Sequence, residues 1–197
     1  MFDAMADTRP WLAAVEQSFR THKAMADKAA AQVADAGFFR RPAPTFNSVA
    51  VIMRHVAGNL MSRWTDFLAT DGEKPTRDRD AEFEDWPGTR EELLGFWDAG
   101  WQRLFDALAR LADADAARGC TIRGEPHTAA QAIERSLAHT AYHVGQIVLL
   151  ARLYADGASW QWLTIPPGGS GRHNAATWGT PAARGVGGGD EAESGRA

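Results

Sequence analysis

Apolar residues recur every three or four positions in four segments of the chain, and polar residues fill the positions between them. This spacing is typical of amphipathic α-helices that bury one face. The pattern predicts helices over about residues 11–33, 48–69, 89–111 and 128–154. No convincing strand pattern accompanies them. We therefore predict an all-α fold in which four long helices form a bundle.

Capping signals mark where the predicted helices begin. Thr8 can cap the first helix, which has Pro10 in its first turn, and Ser48 can cap the second. Thr89 and Thr128 are followed three residues later by Glu and Gln, the spacing of a capping box.

Two connections between the helices carry further signals. Residues 71–88 are charged, contain two prolines and lack an apolar period, which predicts a long loop. Its simplest state is a solvated loop, but the alternating charges of residues 77–83 could instead form a rim that orders over a site. Residues 113–127 form a second connection, with a short extended piece at 120–123.

The chain changes character after the fourth helix. The sequence predicts an ordered, extended tail over residues 158–175, because its tryptophans need to be buried. They could pack against the same chain or across a dimer. Residues 180–197 are rich in glycine and cannot bury a core, so we expect them to be disordered. The sequence thus predicts a single domain over residues 1–179.

Composition narrows the possible function classes. The chain has 197 residues with a net charge of -4 and no long basic run, which argues against a nucleic-acid partner. No stretch approaches the roughly 18 apolar residues of a membrane-spanning helix, and the N-terminus does not resemble a secretory signal. Cys120 is the only cysteine, so an internal disulfide is impossible. We expect a cytoplasmic protein.

Two histidines lie four residues apart in the fourth helix, within the sequence SLAHTAYHVGQIVL. His139 and His143 fall on one edge of the apolar face, and side chains at this spacing are about 5–6 Å apart at Cβ. Both rings could therefore bind one metal ion. They could instead be two buried, hydrogen-bonded histidines. The sequence HTAYH lacks the glutamate of the HExxH zinc-protease motif, so no general base accompanies the pair.

A third histidine favours the metal interpretation. His55 lies at the edge of the buried face of the second helix, and antiparallel helices can bring it level with the pair. Three imidazoles would bind Zn²⁺, Ni²⁺ or a similar ion and leave positions for water or substrate. Asn59, Arg63 and Asp66 follow on the second helix and could orient substrate or support the ligands. Polar contacts between helices would explain Asn59 and Asp66 equally well.

The other histidines and the cysteine have simpler explanations. His22 lies in the apolar face of the first helix and is a weak candidate for a fourth ligand. We interpret His127 as part of a helix start or loop, and we assign no role to His173. Cys120 lies in a connection, where nothing indicates a nucleophile.

The histidine-bearing motifs resemble those of the DinB/YfiT-like superfamily. The resemblance rests on HVAGN in the second helix and HTAYHVGQ in the fourth, and it extends over residues 10–175. The stretches IRGEPHT and WLTIPPGGS resemble one subfamily, a domain of unknown function. The resemblance implies a four-helix bundle that binds a divalent metal through His55, His139 and His143. It also implies a homodimer and a relationship to S-transferases and isomerases that use thiols such as bacillithiol or mycothiol.

Three hypotheses about function follow. The first is a metal-dependent enzyme acting on a small molecule, in which the metal stabilises the thiolate of a low-molecular-weight thiol or activates water. The hydrolase variant needs a base, for which Asp66 and Glu125 are the candidates. The second is a non-catalytic metal-binding or structural bundle, such as a stress-response protein, in which a fourth protein ligand completes the site. The third is an interaction bundle without metal.

Overall fold

The protein is mostly helical, as the sequence predicts. The computed structural model describes residues 9–179. The described residues fall into two compact units, which divide after Trp160. The predicted single domain over 1–179 stays a prediction, and the tail from residue 180 lies outside the described residues. The helices are α1 Pro10–Ala30, α2 Asp35–Phe38, α3 Val49–Trp64, α4 Arg90–Leu108, α5 Ala129–Tyr154 and α6 Ser170–Trp178; short 3-10 helices span Ala81–Phe83 and Asp113–Ala117.

Three of the predicted caps are present in the structure. Ser48 accepts a hydrogen bond from the Val51 amide at the start of α3. Thr89 forms a capping box with Glu92 at the start of α4, and Thr128 forms another with Gln131 at the start of α5. These bonds satisfy amide groups that the first turn leaves without helical partners. Thr8, the predicted cap of α1, lies outside the described residues.

The helix α3 ends earlier than the predicted residue 69. Thr65 leaves the helical conformation after Trp64, and Asp66 adopts a positive φ of 48°. The chain then turns back, so that Ser62 donates to the Gly72 carbonyl and accepts from the Lys74 amide. The following loop is therefore tied to the flank of α3, and it does not extend into solvent as the simplest interpretation of its charges suggested.

The four long helices of residues 1–160 enclose a core rich in tryptophan. Helix α3 packs on α4 and α5, and α1 packs on α5 and α4. Phe19 lies edge-on to Trp64 and Trp101, with ring centroids 6.1 and 6.3 Å away. Gly100 allows α4 to approach α3 closely, because a Cβ atom there would lie 2.9 Å from the Ala57 carbonyl oxygen.

A two-stranded hairpin joins the short 3-10 helix after α4 to α5. Strands β1 Gly119–Ile122 and β2 Glu125–Thr128 are antiparallel. They are joined by Arg123 and Gly124, both with positive φ, as a tight two-residue hairpin turn requires. Asp71 accepts hydrogen bonds from both turn amides, at 2.9 and 2.8 Å. The hairpin therefore anchors the start of the 71–88 loop.

The long helices are not candidates for membrane spans. Within residues 9–179, no helix combines the length and the apolar character needed to cross a bilayer.

Candidate metal centre

Two helices contribute the candidate ligands. His55 lies in the middle of α3, and His139 and His143 lie one turn apart on α5. One ligand atom from each ring lies within 4.8 Å of the other two, so the three histidines could hold a metal ion. His55 and His143 are buried and His139 is half-buried. The helix spacing aligns the pair on α5, and the packing of α3 on α5 brings the third ring to it.

The distance between two ring nitrogens fits shared coordination. His55 Nε2 lies 3.2 Å from His139 Nε2. Two nitrogens bound tetrahedrally at about 2.0–2.1 Å from a Zn²⁺ ion are about 3.3 Å apart. The ring centroid of His143 lies 4.9 Å from that of His55 and 4.5 Å from that of His139. The three rings thus surround a common point.

Hydrogen bonds fix the tautomers of two of the three rings. His55 Nδ1 lies 2.9 Å from Glu82 Oε2, and His143 Nδ1 lies 2.9 Å from Gln146 Oε1. Both oxygens accept, so each Nδ1 donates and each Nε2 keeps its lone pair for a metal. His139 Nδ1 is buried and has no hydrogen-bond partner within residues 9–179.

The rings on α5 are uncharged at neutral pH, which is the form that binds metal. Burial, together with the smaller effects of the neighbouring His143, His55 and arginines, lowers the pKa of His139 to about 3. Burial lowers the pKa of His143, the hydrogen bond to Gln146 opposes this shift, and His55 adds to it; together they bring the pKa to about 4. Protons therefore do not compete with a metal ion for these two nitrogens near pH 7.

Glu82, which orients His55, comes from the predicted 71–88 loop. It lies in the short 3-10 helix Ala81–Phe83 and is buried. Arg77 donates to both of its oxygens, from Nε to Oε1 and from Nη2 to Oε2, each at 2.7 Å. Burial raises the pKa of Glu82, but the hydrogen bonds and charges of Arg77 and His55 outweigh this effect and lower it overall. Glu82 is therefore an ionised partner of His55.

Sequence reasoning missed Glu82 and Arg77 as parts of the site. The alternating charges of residues 77–83 were the only signal, and they did not single out either residue. Gln146 did carry a signal, since it is the last residue of the HTAYHVGQ motif. The hydrogen bond between Gln146 and His143 explains why the motif carries a glutamine at this position.

A small cavity opens beside the histidines. It has a volume of about 180 Å³, and its lining includes His55, His139, Asn59 and Arg63. Asn59 is only 8% exposed and makes no side-chain hydrogen bond within residues 9–179. Two of the predicted substrate-orienting residues thus lie next to candidate ligands. A larger cavity of about 900 Å³, between α3 and the 71–88 loop, has none of the three histidines in its lining.

The structure does not bring the other predicted site residues to this cavity. Asp66 follows the end of α3, is exposed, and lines other cavities. Glu125, the second candidate base, is exposed on β2 and is absent from the lining. His22 is half-buried on α1 and is not part of the three-histidine group.

The surroundings of the remaining candidates, His127, His173 and Cys120, do not indicate a role in the site. His127 Nδ1 donates to the Glu125 carbonyl oxygen at 3.0 Å. His173 is exposed on α6. Cys120 lies on β1, where burial raises the pKa of its thiol and Asp71 raises it further. A raised pKa disfavours the thiolate that a nucleophile needs.

Comparison with known proteins identifies a family without indicating a function. The family model described as "Protein of unknown function (DUF1572)" matches residues 6–169. Comparisons with curated proteins and with solved structures gave no match.

Proposed function

Because the chain belongs to the DUF1572 family, whose function is unknown, we propose a function from the site itself: a metal-dependent enzyme acting on a small molecule. His55, His139 and His143 would hold one divalent ion, and neutral imidazoles favour Zn²⁺ or Ni²⁺. The buried Glu82 and Gln146 would keep two of the rings in the metal-binding tautomer.

The observation that carries this proposal is the cavity beside an incomplete ligand set. Within residues 9–179 the metal-binding group contains three side chains, and a structural site is normally closed by a fourth. His22, the candidate for that fourth ligand, is not in the group. An open position next to a cavity of about 180 Å³ is the arrangement expected of a catalytic centre. It supports an enzyme over a non-catalytic metal-binding protein.

Thiol-dependent transfer fits the site better than hydrolysis. The carboxylate of Glu82 is occupied by His55 and Arg77, and neither Asp66 nor Glu125 lines the cavity. A divalent ion, when bound, favours the deprotonated form of a thiol or water molecule that it contacts. For a thiol this suffices without a neighbouring base. The sulfur then forms a bond to the electrophilic carbon, the bond to the leaving group breaks, and the thiol proton is released to solvent.

The protein's own residues would position the reactants. Asn59 and Arg63 lie on α3 one and two turns after His55, and both line the cavity. Their amide and guanidinium groups can bind the substrate and hold it beside the metal-binding histidines.

The resemblance to the DinB/YfiT-like superfamily adds support to this proposal. The motifs HVAGN and HTAYHVGQ supply the three histidines and Gln146, and four long helices carry or surround them. We accordingly propose a four-helix bundle of the DinB type. The low-molecular-weight thiol is the co-substrate that this relationship suggests.

A thiol-consumption assay tests the proposal. Protein loaded with Zn²⁺ or Ni²⁺ is incubated with monochlorobimane and, in separate reactions, cysteine, glutathione, bacillithiol or mycothiol. We expect metal-dependent thioether formation with at least one thiol, and its loss in His139→Ala and His143→Ala, while His173→Ala keeps full activity. Equal rates in the metal-loaded protein, the metal-free protein and the two ligand variants would reject an enzymatic role in thiol transfer.

A further inference from the structure

The charged residues that line the cavity beside the histidines are all positive. Five arginines belong to its lining: Arg63, Arg77, Arg79, Arg123 and Arg135. The lining contains no aspartate or glutamate. These arginines come from α3, the 71–88 loop, the hairpin turn and α5, so four separate parts of the chain bring positive charge to one place.

Neighbouring carboxylates neutralise only part of this charge. Glu73 forms ion pairs with Arg63, Arg77 and Arg123, at 3.0, 3.3 and 3.2 Å. Glu82 is shared between Arg77 and His55.

The other two arginines are paired weakly or not at all. Arg79 lies 3.9 Å from the fully solvated carboxylate of Asp80, a weak contact. Arg135 has no ion pair within residues 9–179. Five guanidinium groups therefore have three carboxylate partners.

The mutual repulsion of these groups is visible at Arg63. Burial lowers the pKa of its guanidinium, Glu73 opposes that shift, and Arg77, Arg123 and Arg135 lower it further. Arg63 Nη1 is buried and has no hydrogen-bond partner within the described part of the chain. An isolated buried donor of this kind costs free energy that a negatively charged ligand in the cavity would lower, through its field on the group.

A neutral donor lines the same cavity. Asn59 is more than nine-tenths buried and its amide makes no hydrogen bond within residues 9–179. The Asn59 amide can therefore donate a hydrogen bond to a ligand in this cavity. Carboxylate and phosphate oxygens accept hydrogen bonds from both amide and guanidinium groups.

Contacts with neighbouring groups hold part of the arginine wall in place. Arg77 is fixed by both oxygens of Glu82, and the guanidinium of Arg79 lies 5.0 Å from the centre of the Phe83 ring. Arg123 belongs to the hairpin turn whose amides bind Asp71. Groups held in place before a ligand arrives lose little entropy when it binds.

We propose that this arginine-lined cavity binds the anionic group of the substrate, a carboxylate or a phosphate, beside the three-histidine centre. A volume of about 180 Å³ suits such a group and not a large molecule. The inference deepens the proposed function, since it identifies a small oxyanion-bearing molecule as the substrate class. The remainder of that molecule would extend toward the histidines.

Binding of small probes tests the inference without measuring activity. Inorganic phosphate, succinate and neutral succinamide are titrated into the protein, with and without Zn²⁺, and binding is followed by NMR chemical shifts. We expect saturable binding of phosphate, succinate or both, and none of succinamide. Binding of phosphate alone indicates a phosphate ester as substrate, and binding of succinate alone indicates a carboxylate.

Two exposed arginines allow substitution without disturbing the core. Arg123→Gln and Arg135→Gln should each weaken anion binding about tenfold, the effect of one charge-assisted hydrogen bond. Arg103→Gln is the matched control, because Arg103 is also exposed on a helix, has no ion pair within residues 9–179 and is absent from the cavity lining. It should bind the anions as the unaltered protein does.

The outcomes separate this inference from the proposed function. Anion binding that depends on Arg123 and Arg135 in a protein that takes up no metal supports the cavity assignment and overturns the metal enzyme. Metal uptake without anion binding, or anion binding that is unchanged in both arginine variants, overturns the cavity assignment and leaves the metal centre standing.

Discussion

His55 Nε2 and His139 Nε2 lie 3.2 Å apart although 84 positions separate the two residues in the chain. The first ring is oriented from behind by Glu82, and the second lies one helical turn before His143. The contact joins α3 to α5 at the point where the cavity opens. A centre of this kind depends on the packing of two helices and on the loop that supports one of them.

Removal of the Glu82 carboxylate should weaken metal binding. In Glu82→Ala, His55 loses the acceptor that fixes its tautomer, and loss of such a partner typically lowers metal affinity about 10–100-fold. Glu82→Gln should lie between this variant and the unaltered protein, because its amide oxygen can still accept from His55 Nδ1. Competition with a coloured chelator measures the affinity for Zn²⁺.

Glu84→Ala is the matched control for this series, since Glu84 is two residues away and exposed. Circular dichroism establishes that each variant is folded. If Glu82→Ala and Glu84→Ala bind Zn²⁺ equally well, Glu82 does not position His55.

A methyl group at Gly58 should disturb the site without altering any ligand. A Cβ atom there would collide with the carboxylate of Glu82, so Gly58→Ala must displace Glu82 or move α3. We expect lower affinity for Zn²⁺ and a lower free energy of unfolding. Chemical denaturation and chelator competition measure the two effects.

Gly95→Ala on α4 provides the opposite control. No atom lies within 4 Å of a Cβ atom at Gly95, so alanine there should stabilise the helix by about 0.5–1 kcal/mol and leave metal affinity unchanged. A Gly58→Ala variant that behaves like Gly95→Ala would show that Glu82 is not packed against α3.

The stability of the metal-free protein should depend on pH through His139 and His143. Their folded-state pKa values of about 3 and about 4 lie below the ordinary value of 6.5. Between about pH 4 and 6.5 the unfolded chain therefore binds more protons than the folded chain at these positions. The free energy of unfolding should fall as pH falls through that range, and these two groups should add no slope above it.

Urea denaturation at pH values from about 4.5 to 8 measures this dependence. The double variant His139→Asn, His143→Asn should show a shallower slope below about pH 6.5. His173→Asn, altered at an exposed histidine of α6, should keep the slope of the unaltered protein. An unchanged slope in the double variant would mean that the two rings are not buried in uncharged form.

His22 should prove dispensable for metal binding. It is half-buried on α1 and lies outside the three-histidine group, although burial lowers its pKa. His22→Gln should bind one Zn²⁺ ion per chain with unaltered affinity, as measured by isothermal titration calorimetry. A loss of affinity comparable to that of His143→Ala would identify a fourth protein ligand and favour a closed structural site.

The helices and the three histidines were accessible to sequence reasoning because both depend on local spacing. Apolar periodicity and the caps at Ser48, Thr89 and Thr128 are set within a few residues. The four-residue interval between His139 and His143 places both rings on one side of α5. Only the approach of His55 required a tertiary assumption, namely the packing of α3 against α5.

The supporting residues could not be predicted because they depend on the path of a loop. Glu82 reaches His55 from a loop whose start is anchored by Asp71 to the hairpin and by Ser62 to α3. Asp66 was misplaced for a related reason, since the turn after Trp64 ends the periodicity that put it in line with His55. Contacts of this kind have no period in the sequence.

The X-ray absorption spectrum of the zinc-loaded protein tests the central claim most directly, because it identifies the atoms bound to the ion. We predict three imidazole nitrogens at about 2.0–2.1 Å and one light atom from a non-protein ligand, with an imidazole signal that falls in His55→Ala. A zinc–sulfur distance of about 2.3 Å, or a spectrum that His55→Ala leaves unchanged, would contradict the three-histidine centre.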